Sequence, residues 1–224
     1  MEYFVLNNGV KMPALGLGTF LLSPKEAEDA TYSALKCGYK LIDTANAYMN
    51  ERGVGRGIKR SGVKREDIFL VTKLWPSEYE NAEKAISDTL KRLDTDYIDL
   101  LILHQPVGNF MAAYRAMERA YAVGKVRALG LSNFPEELAG QVIEGCKVCV
   151  QSVQESEFLR KLLAPARIST LESLSMFGSF ATKKEGFVAL FFCGGERGIR
   201  AFSGRAPTNS GCPLFGLRTE RAGV

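Results

Sequence analysis

The sequence predicts an α/β protein of the (β/α)8 barrel class, incomplete at its C-terminal end. Strand-like and helix-like segments alternate through the first 148 of 224 residues, which implies a parallel sheet. Four predicted strands end at Asp43, Lys73, His104 and Asn133, at intervals of 30, 31 and 29 residues. Even spacing favours a closed barrel over an open sheet. The polar residues at the strand ends also suit a barrel, whose active site lies at the carboxyl ends of its strands.

The first elements carry clear turn and cap signals. Asn8-Gly9 predicts a tight hairpin turn, because both residues tolerate positive φ angles. The first barrel strand is predicted at 15–20. Ser23 then predicts a helix cap, with a proline at the first helical position and Glu26 as the capping-box partner.

The later elements repeat this order. Further strands are predicted at 39–43, 69–74, 97–104 and 126–133, and helices at about 51–61, from 82, from 110 to Gly124, and from 135. The run YIDLLILH (97–104) is nearly all apolar, which is typical of a parallel strand covered on both faces. Asn133 is predicted to cap the fifth helix, with Glu136 three residues later.

The repeating pattern stops near residue 148. Three more units would need about 90 positions, and 76 remain. We therefore divide the chain into 1–148, the N-terminal part of the barrel, and 149–224, a divergent segment that is poorly ordered or results from a reading-frame change or altered splicing. Five to six units would leave a parallel edge of the sheet exposed, and FVALFFC (187–193) is a run that could pair there.

Charge and composition exclude several classes of partner. Residues 1–150 carry 19 basic and 19 acidic residues, so the net charge of +4 arises from the remaining 74 residues, and nucleic acid is not expected. The apolar runs are too short to cross a membrane, and the start lacks a secretory signal. Five cysteines without disulfide spacing suit the reducing cytoplasm. Cys146 and Cys149 form one C-x-x-C pair, which is too weak a signal to predict a metal site.

Five sequence blocks carry a resemblance to a known family. They are LGLGTF (15–20), LIDTANAY (41–48), VTKLW (71–75), LLILHQP (101–107) and GLSNF (130–134). In this order and spacing they resemble the signature blocks of the aldo-keto reductases. The LHQP form is most similar to the small microbial-type members, including the 2,5-diketogluconate reductases. The resemblance implies a barrel of the aldo-keto reductase type and an NADPH-dependent oxidoreductase that reduces aldehydes or ketones.

The resemblance also implies four catalytic residues, namely Asp43, Tyr48, Lys73 and His104. A phenol is a poor acid at neutral pH, with an ordinary pKa of about 10. A nearby ammonium group lowers that pKa, so we expect Lys73 to activate Tyr48 as the proton donor. Asp43 would hold the ammonium, and His104 would donate a hydrogen bond to the carbonyl oxygen. The alternative for Asp43 and Lys73 is a buried ion pair without chemistry.

Cofactor and substrate contacts follow from the same resemblance. The residues that it implies for NADPH are Gly18, Thr19, Asp43, Ser132 and Asn133. Trp75 would line the substrate pocket together with His104, with simple packing of the indole as the alternative. The substrate would be a small carbonyl compound, and the protein a monomer.

The family's contacts to the cofactor phosphates have no evident counterpart in residues 151–224. The family has a glutamine that stacks near the nicotinamide, and Gln154 is only a weak match to it. Arg197, Arg200 and Arg205 are scattered, as is typical of arginines on a solvated surface. We therefore expect weak binding of NADPH. The alternative function is a catalytically impaired, non-enzymatic binding or regulatory protein derived from the same barrel.

Overall fold

The computed structural model describes residues 2–148, 150, 152–155, 175–178, 187–188, 190–194 and 204–205. The strands are β1 (Tyr3–Val5), β2 (Lys11–Pro13), β3 (Leu15–Gly18), β4 (Leu41–Asp43), β5 (Phe69–Leu74), β6 (Leu100–Leu103), β7 (Leu129–Ser132), β8 (Ser152–Glu155), β9 (Ser175–Gly178), β10 (Phe187–Val188), β11 (Leu190–Gly194) and β12 (Gly204–Arg205). The α-helices are α1 (Pro24–Lys36), α2 (Glu51–Ser61), α3 (Ala82–Leu93), α4 (Phe110–Ala122) and α5 (Glu136–Gly145). Short 3-10 helices cover Asn46–Tyr48, Arg65–Asp67 and Pro76–Asn81.

Eight of these strands form a closed barrel. Strands β3 to β9 lie in chain order and pair in parallel, and β11 lies antiparallel between β9 and β3. The five βα units predicted from the sequence are confirmed, since a helix follows each of β3 to β7. The described strands leave no open edge in the barrel, which corrects the predicted exposed edge. Residues 190–192 pair with β3 and belong to FVALFFC, the run that was predicted able to pair there.

Most of the predicted divergent segment 149–224 lies outside the described residues. The prediction that it is irregular or frame-shifted therefore remains a prediction. Arg197 and Arg200 lie outside as well, whereas Gln154 belongs to β8 and Arg205 to β12. Strands β10 and β12 form a separate two-stranded antiparallel sheet.

The two-residue period of a strand divides the apolar side chains between two layers. Leu41 and Val71 belong to an inner cluster, which the hairpin of β1 and β2 covers from the amino end of the strands with Leu6 and Met12. Ile42, between these inner positions, packs instead in an outer cluster with residues of α1 and α2. Asp43 and Lys73 each lie two residues beyond an inner position, so the same period places them inside the barrel at its carboxyl end.

Three glycines allow α2 to pack unusually closely against its neighbours. A Cβ atom at Gly55 would lie 2.6 Å from the carbonyl oxygen of Leu93, and one at Gly57 would lie 2.6 Å from that of Glu28. A Cβ at Gly53 would overlap the carbonyl group of Pro24. This polar, glycine-rich helix therefore lies against α1 and the end of α3 because it lacks side chains at the contacts.

Of the two helix N-caps predicted from the sequence, one is confirmed and one is wrong. The capping box at Ser23 is confirmed, since its hydroxyl accepts from Glu26 N at 3.3 Å while Ser23 N donates to the Glu26 carboxylate at 2.8 Å. The prediction that Asn133 caps α5 is wrong. Asn133 has a φ of 60° and uses its side chain elsewhere, and α5 begins after Pro135 without a side-chain cap. Within the described ranges, no helix has the length and apolar character needed to cross a membrane.

Candidate active site

The four predicted catalytic side chains lie together at the carboxyl end of the barrel strands. Asp43 is the last residue of β4, and Lys73 is the second-last of β5. His104 directly follows β6, while Tyr48 ends the 3-10 helix in the loop after β4. In barrels of this class the loops at this end carry the chemistry.

Asp43 and Lys73 form a buried ion pair. The Lys73 ammonium donates to both carboxylate oxygens of Asp43 at 2.6 Å and to the carbonyl oxygen of Thr44 at 3.0 Å. Both residues are 3% exposed or less. Burial by itself lowers the pKa of Lys73. The Asp43 carboxylate has the opposite effect and outweighs burial, so the pKa of Lys73 lies above its ordinary value. Lys73 is therefore a cation at neutral pH.

Tyr48 lies between this cation and two aromatic rings. The Lys73 nitrogen is 5.2 Å from the centroid of the phenol ring. The rings of Phe20 and His104 have their centroids 5.0 Å and 5.9 Å from that of Tyr48. Burial raises the pKa of Tyr48 more than Lys73 lowers it, so the net direction is upward. The expected net lowering is thus corrected: the cation acts in the expected direction, but desolvation of the phenol outweighs it.

His104 is the only histidine of the chain and is neutral in this site. Burial, followed by the charge of Lys73, lowers its pKa to about 3. The Trp75 indole packs edge-on against the imidazole at a centroid distance of 4.9 Å, and is itself 38% exposed. Nδ1 of His104 is buried without a hydrogen-bond partner among the described residues. A neutral imidazole keeps one donor and one acceptor nitrogen, so His104 can give a hydrogen bond without carrying charge.

The residues predicted to contact a cofactor lie at the ends of β3, β4 and β7. The Thr19 hydroxyl is buried and donates to the backbone carbonyl of Asp43 at 3.1 Å, so its side chain is used within the protein. Asn133 donates through its amide to His104 O and to the Ser132 hydroxyl, both at 3.0 Å. Asn133 therefore links the strand end at Ser132 to the backbone of His104. Gly18 contributes only backbone, beside Asp43 in the sheet.

Sequence reasoning missed Asn50, which is fully buried between the loops after β3 and β4. Its amide nitrogen donates to the carbonyls of Thr19 and Leu22 at 2.8 and 2.9 Å. Its amide oxygen accepts from the Thr44 hydroxyl at 2.9 Å, and the Thr19 hydroxyl, which donates to Asp43 O, lies 3.4 Å from that oxygen. The signal was ambiguous, because an asparagine before a helix suggests an N-cap, and Asn50 makes no such bond.

Tyr79 was missed as well. Its hydroxyl donates to Gln105 O at 2.8 Å and accepts from Gln105 N at 3.2 Å, and thus ties down the residue next to His104. Burial raises the pKa of Tyr79 to about 12, so the phenol stays protonated. Sequence spacing alone places Tyr79 in a connecting segment and indicates no partner.

Buried Glu51 is a third residue without a sequence signal. Its carboxylate accepts from the Thr72 hydroxyl at 2.7 Å and from Arg92 at 2.6 Å. These bonds link α2 to β5 and α3. The bond to β5 is made at Thr72, the residue directly before Lys73. Among the described residues, no cluster of three or more His, Cys, Asp or Glu could hold a metal ion.

Comparison with known proteins agrees with this arrangement. The model of the aldo/keto reductase family matches residues 14–161. The chain is 45% identical over 157 residues to morphine 6-dehydrogenase of Pseudomonas putida, covering 68% of this chain and 53% of that protein. It is 46% identical over 133 residues to glyoxal reductase of Bacillus subtilis, covering 58% and 48%. The chain thus spans about half the length of the curated relatives it matches.

Solved structures show the same relationship. An aldo/keto reductase of Brucella melitensis has 36% sequence identity and a TM-score of 0.69, covering 78% of this chain and 71% of that one. An aldo-keto reductase of Bombyx mori in complex with NADP has 27% identity and a TM-score of 0.68, covering 78% and 64%. The family match extends over more than half of the chain and includes all four predicted catalytic residues. This chain therefore belongs to the aldo/keto reductase family.

Proposed function

We propose that this chain reduces small aldehydes and ketones with NADPH, and that Tyr48 donates the proton. The observation that carries the proposal is the Lys73 ammonium, which is held by Asp43 at 2.6 Å and lies 5.2 Å from the centre of the Tyr48 ring. A buried cation beside a protonated phenol suits the transfer of a proton to a developing alkoxide. The matches to reductases support the same reaction class.

The described residues fit a nicotinamide cofactor on its reactive side. Nδ1 of His104 is buried and has no hydrogen-bond partner in the described part of the chain, and a polar molecule bound at the barrel mouth would supply one. Gly18, Ser132 and Asn133 are the residues that would hold the nicotinamide, since they lie at strand ends on this edge. When bound, NADPH supplies the hydride that the carbonyl carbon accepts. A solved relative is itself a complex with NADP.

The side chains of this site would then divide the remaining work. Neutral His104 donates an N–H hydrogen bond to the carbonyl oxygen and fixes its direction. Tyr48 gives its phenol proton to that oxygen as negative charge develops there. Lys73 stabilises the phenolate that remains, while Asp43 keeps the ammonium in place. Trp75 covers one edge of the His104 ring and offers an apolar wall to the substrate.

Tyr48→Phe tests the assignment of the proton donor. The change removes only the hydroxyl, so the ring contacts with Phe20 and His104 remain possible. We expect kcat for glyoxal reduction, followed by loss of NADPH absorbance, to fall by about 10² to 10⁴-fold. Tyr32→Phe is the matched control, because Tyr32 lies under Arg60 on the outside of the barrel and should keep full activity. Retained activity in Tyr48→Phe would assign the proton to another group.

The alternative is a binding protein derived from the same barrel. It predicts that NADPH quenches the fluorescence of Trp75, the only tryptophan, without any turnover of aldehyde or ketone. Turnover that depends on Tyr48 would exclude this alternative. Cytoplasmic location and a monomeric state remain predictions from the cysteine pattern and the family resemblance.

A further inference from the structure

Asn50 joins the loop that carries Phe20 to the loop that carries Tyr48. Both hydrogens of its amide go to carbonyls at the two ends of the first loop, Thr19 O and Leu22 O. Its amide oxygen accepts from Thr44, at the start of the second loop. The side chain thereby uses both of its N–H donors and accepts a bond at its oxygen, in a place that is 0% exposed.

The two loops need such a tie because each contains a strained residue. Leu21 has a φ of 63° and Met49 a φ of 57°, in the left-handed region that non-glycine residues rarely adopt. Both side chains are exposed, 48% for Leu21 and 82% for Met49, so their own packing does not hold them there. Asn50 bonds the carbonyls on both sides of Leu21 and directly follows Met49. Strain of this kind persists where surrounding contacts over-determine the backbone, and it clusters at functional sites.

The same bonds lead to the reacting groups. Between Thr19 and Leu22, the first loop presents Phe20, whose ring packs 5.0 Å from that of Tyr48. Thr44, which donates to Asn50, also accepts the third hydrogen bond of the Lys73 ammonium through its carbonyl. Asn50 therefore bonds the backbone of the loop that carries Phe20 and the hydroxyl of Thr44, whose carbonyl accepts from Lys73.

We propose that Asn50 is a positioning residue for proton transfer: it holds the Phe20 ring against Tyr48 and keeps the phenol beside Lys73. This inference rests on the proposed function, in which Tyr48 is the donor. Loss of the amide should release the loop at 19–22 and displace the phenol from its partners. A displacement of about 1 Å can cost up to about 100-fold in rate, so kcat should fall by at least about tenfold with little change in KM.

Asn50→Ala is the principal variant, with Asp99→Asn as its control. Asp99 is a second buried polar centre, which forms an ion pair with Arg65 and accepts hydrogen bonds from Arg127 and Leu70 N at the opposite end of the barrel. Thr44→Val is a milder variant that deletes one bond to Asn50 and keeps the shape of the side chain. We expect Asn50→Ala and Thr44→Val to lose kcat, while Asp99→Asn loses thermal stability and keeps kcat. Equal loss of kcat in all three variants, in proportion to lost stability, would overturn the proposal.

A second readout does not depend on turnover. The groups that face the Tyr48 phenol are Lys73, Asp43 and His104, and the Phe20 ring packs against it. Alkaline titration of tyrosine absorbance, as a difference from Tyr48→Phe, isolates this one phenol. Release of Phe20 in Asn50→Ala admits water, so the pKa of Tyr48 should fall towards its ordinary value, and Asp99→Asn should leave it unchanged. An inactive wild-type chain would refute the proposed function, and an unchanged phenol titration in Asn50→Ala would refute the positioning role.

Discussion

Lys73→Met removes the cation from the buried pair and leaves the Asp43 carboxylate with no opposite charge. Met keeps most of the length of the lysine chain, so the lost interaction is mainly electrostatic. Asp43 is 3% exposed and loses an ammonium that contacts both of its oxygens at 2.6 Å. Breaking a buried ion pair on one side costs about 3–5 kcal/mol, and we expect a loss of this size in the free energy of unfolding at neutral pH.

The loss should depend on pH in a definite direction. Burial raises the pKa of Asp43 in the folded protein, even with Lys73 opposing it, and without Lys73 the pKa rises further. The unfolded value is about 3.9. A carboxyl group whose folded pKa is raised favours folding fully below the unfolded pKa, and this contribution disappears as the pH rises through the folded pKa. The deficit of Lys73→Met should therefore be small near pH 4 and largest at neutral pH.

Urea unfolding followed by far-UV circular dichroism at several pH values measures this deficit. The double variant Lys73→Met/Asp43→Leu is the control, because replacing both members of a buried pair by apolar groups is often neutral or stabilising. It should recover most of the stability and show no comparable pH dependence. A single variant as stable as the wild type at neutral pH, or a double variant no better than the single one, would refute this account of the ion pair.

Three further changes test other parts of the structure. Tyr79→Phe removes two hydrogen bonds to the backbone after β6 and should cost about 1–3 kcal/mol in thermal or urea unfolding; a loss near zero would show that solvent replaces them. Gly53→Ala should destabilise the protein by about 1–3 kcal/mol, because its Cβ would overlap Pro24, whereas Gly140→Ala has open space and should gain about 0.5–1 kcal/mol; equal effects of the two changes would contradict the close packing of α2. His104, with a pKa lowered to about 3, should give an imidazole NMR signal that does not move between about pH 5 and 8, and a normal titration there would show that the ring is solvated.

The barrel units and the polar strand ends at Asp43, Lys73 and His104 were predictable from local patterns, whereas the catalytic set that includes Tyr48 was implied by the family resemblance of the sequence blocks. The interval of about 30 residues between polar strand ends corresponds to one strand, one helix and two loops per unit. The pattern of each unit is visible within its own segment of the sequence. The inward direction of Asp43 and Lys73 follows from the period of two along β4 and β5. The capping box at Ser23 involves neighbours three residues apart, so it too was visible locally.

The roles of Asn50 and Tyr79 were not predictable, because their partners are distant in sequence. Asn50 lies 28 residues from Leu22, and Tyr79 lies 26 from Gln105. Asn133 is a case in which a local pattern gave a wrong prediction. Its local pattern predicts a helix cap, but the tertiary contact with His104 O, 29 residues away, takes its side chain instead.

The sequence by itself determined the kind of fold, the order of its five βα units and the residue types that meet at one end, since periodicity, capping and strand-end polarity are local properties. Only the tertiary structure decided how the barrel closes and how the site is balanced electrostatically. Strand β11 pairs antiparallel with β3 through contacts between residues more than 170 positions apart. Likewise, the family resemblance implied that Lys73 lowers the pKa of Tyr48. Burial raises that pKa and outweighs the cation, and the extent of burial depends on every group packed around the phenol.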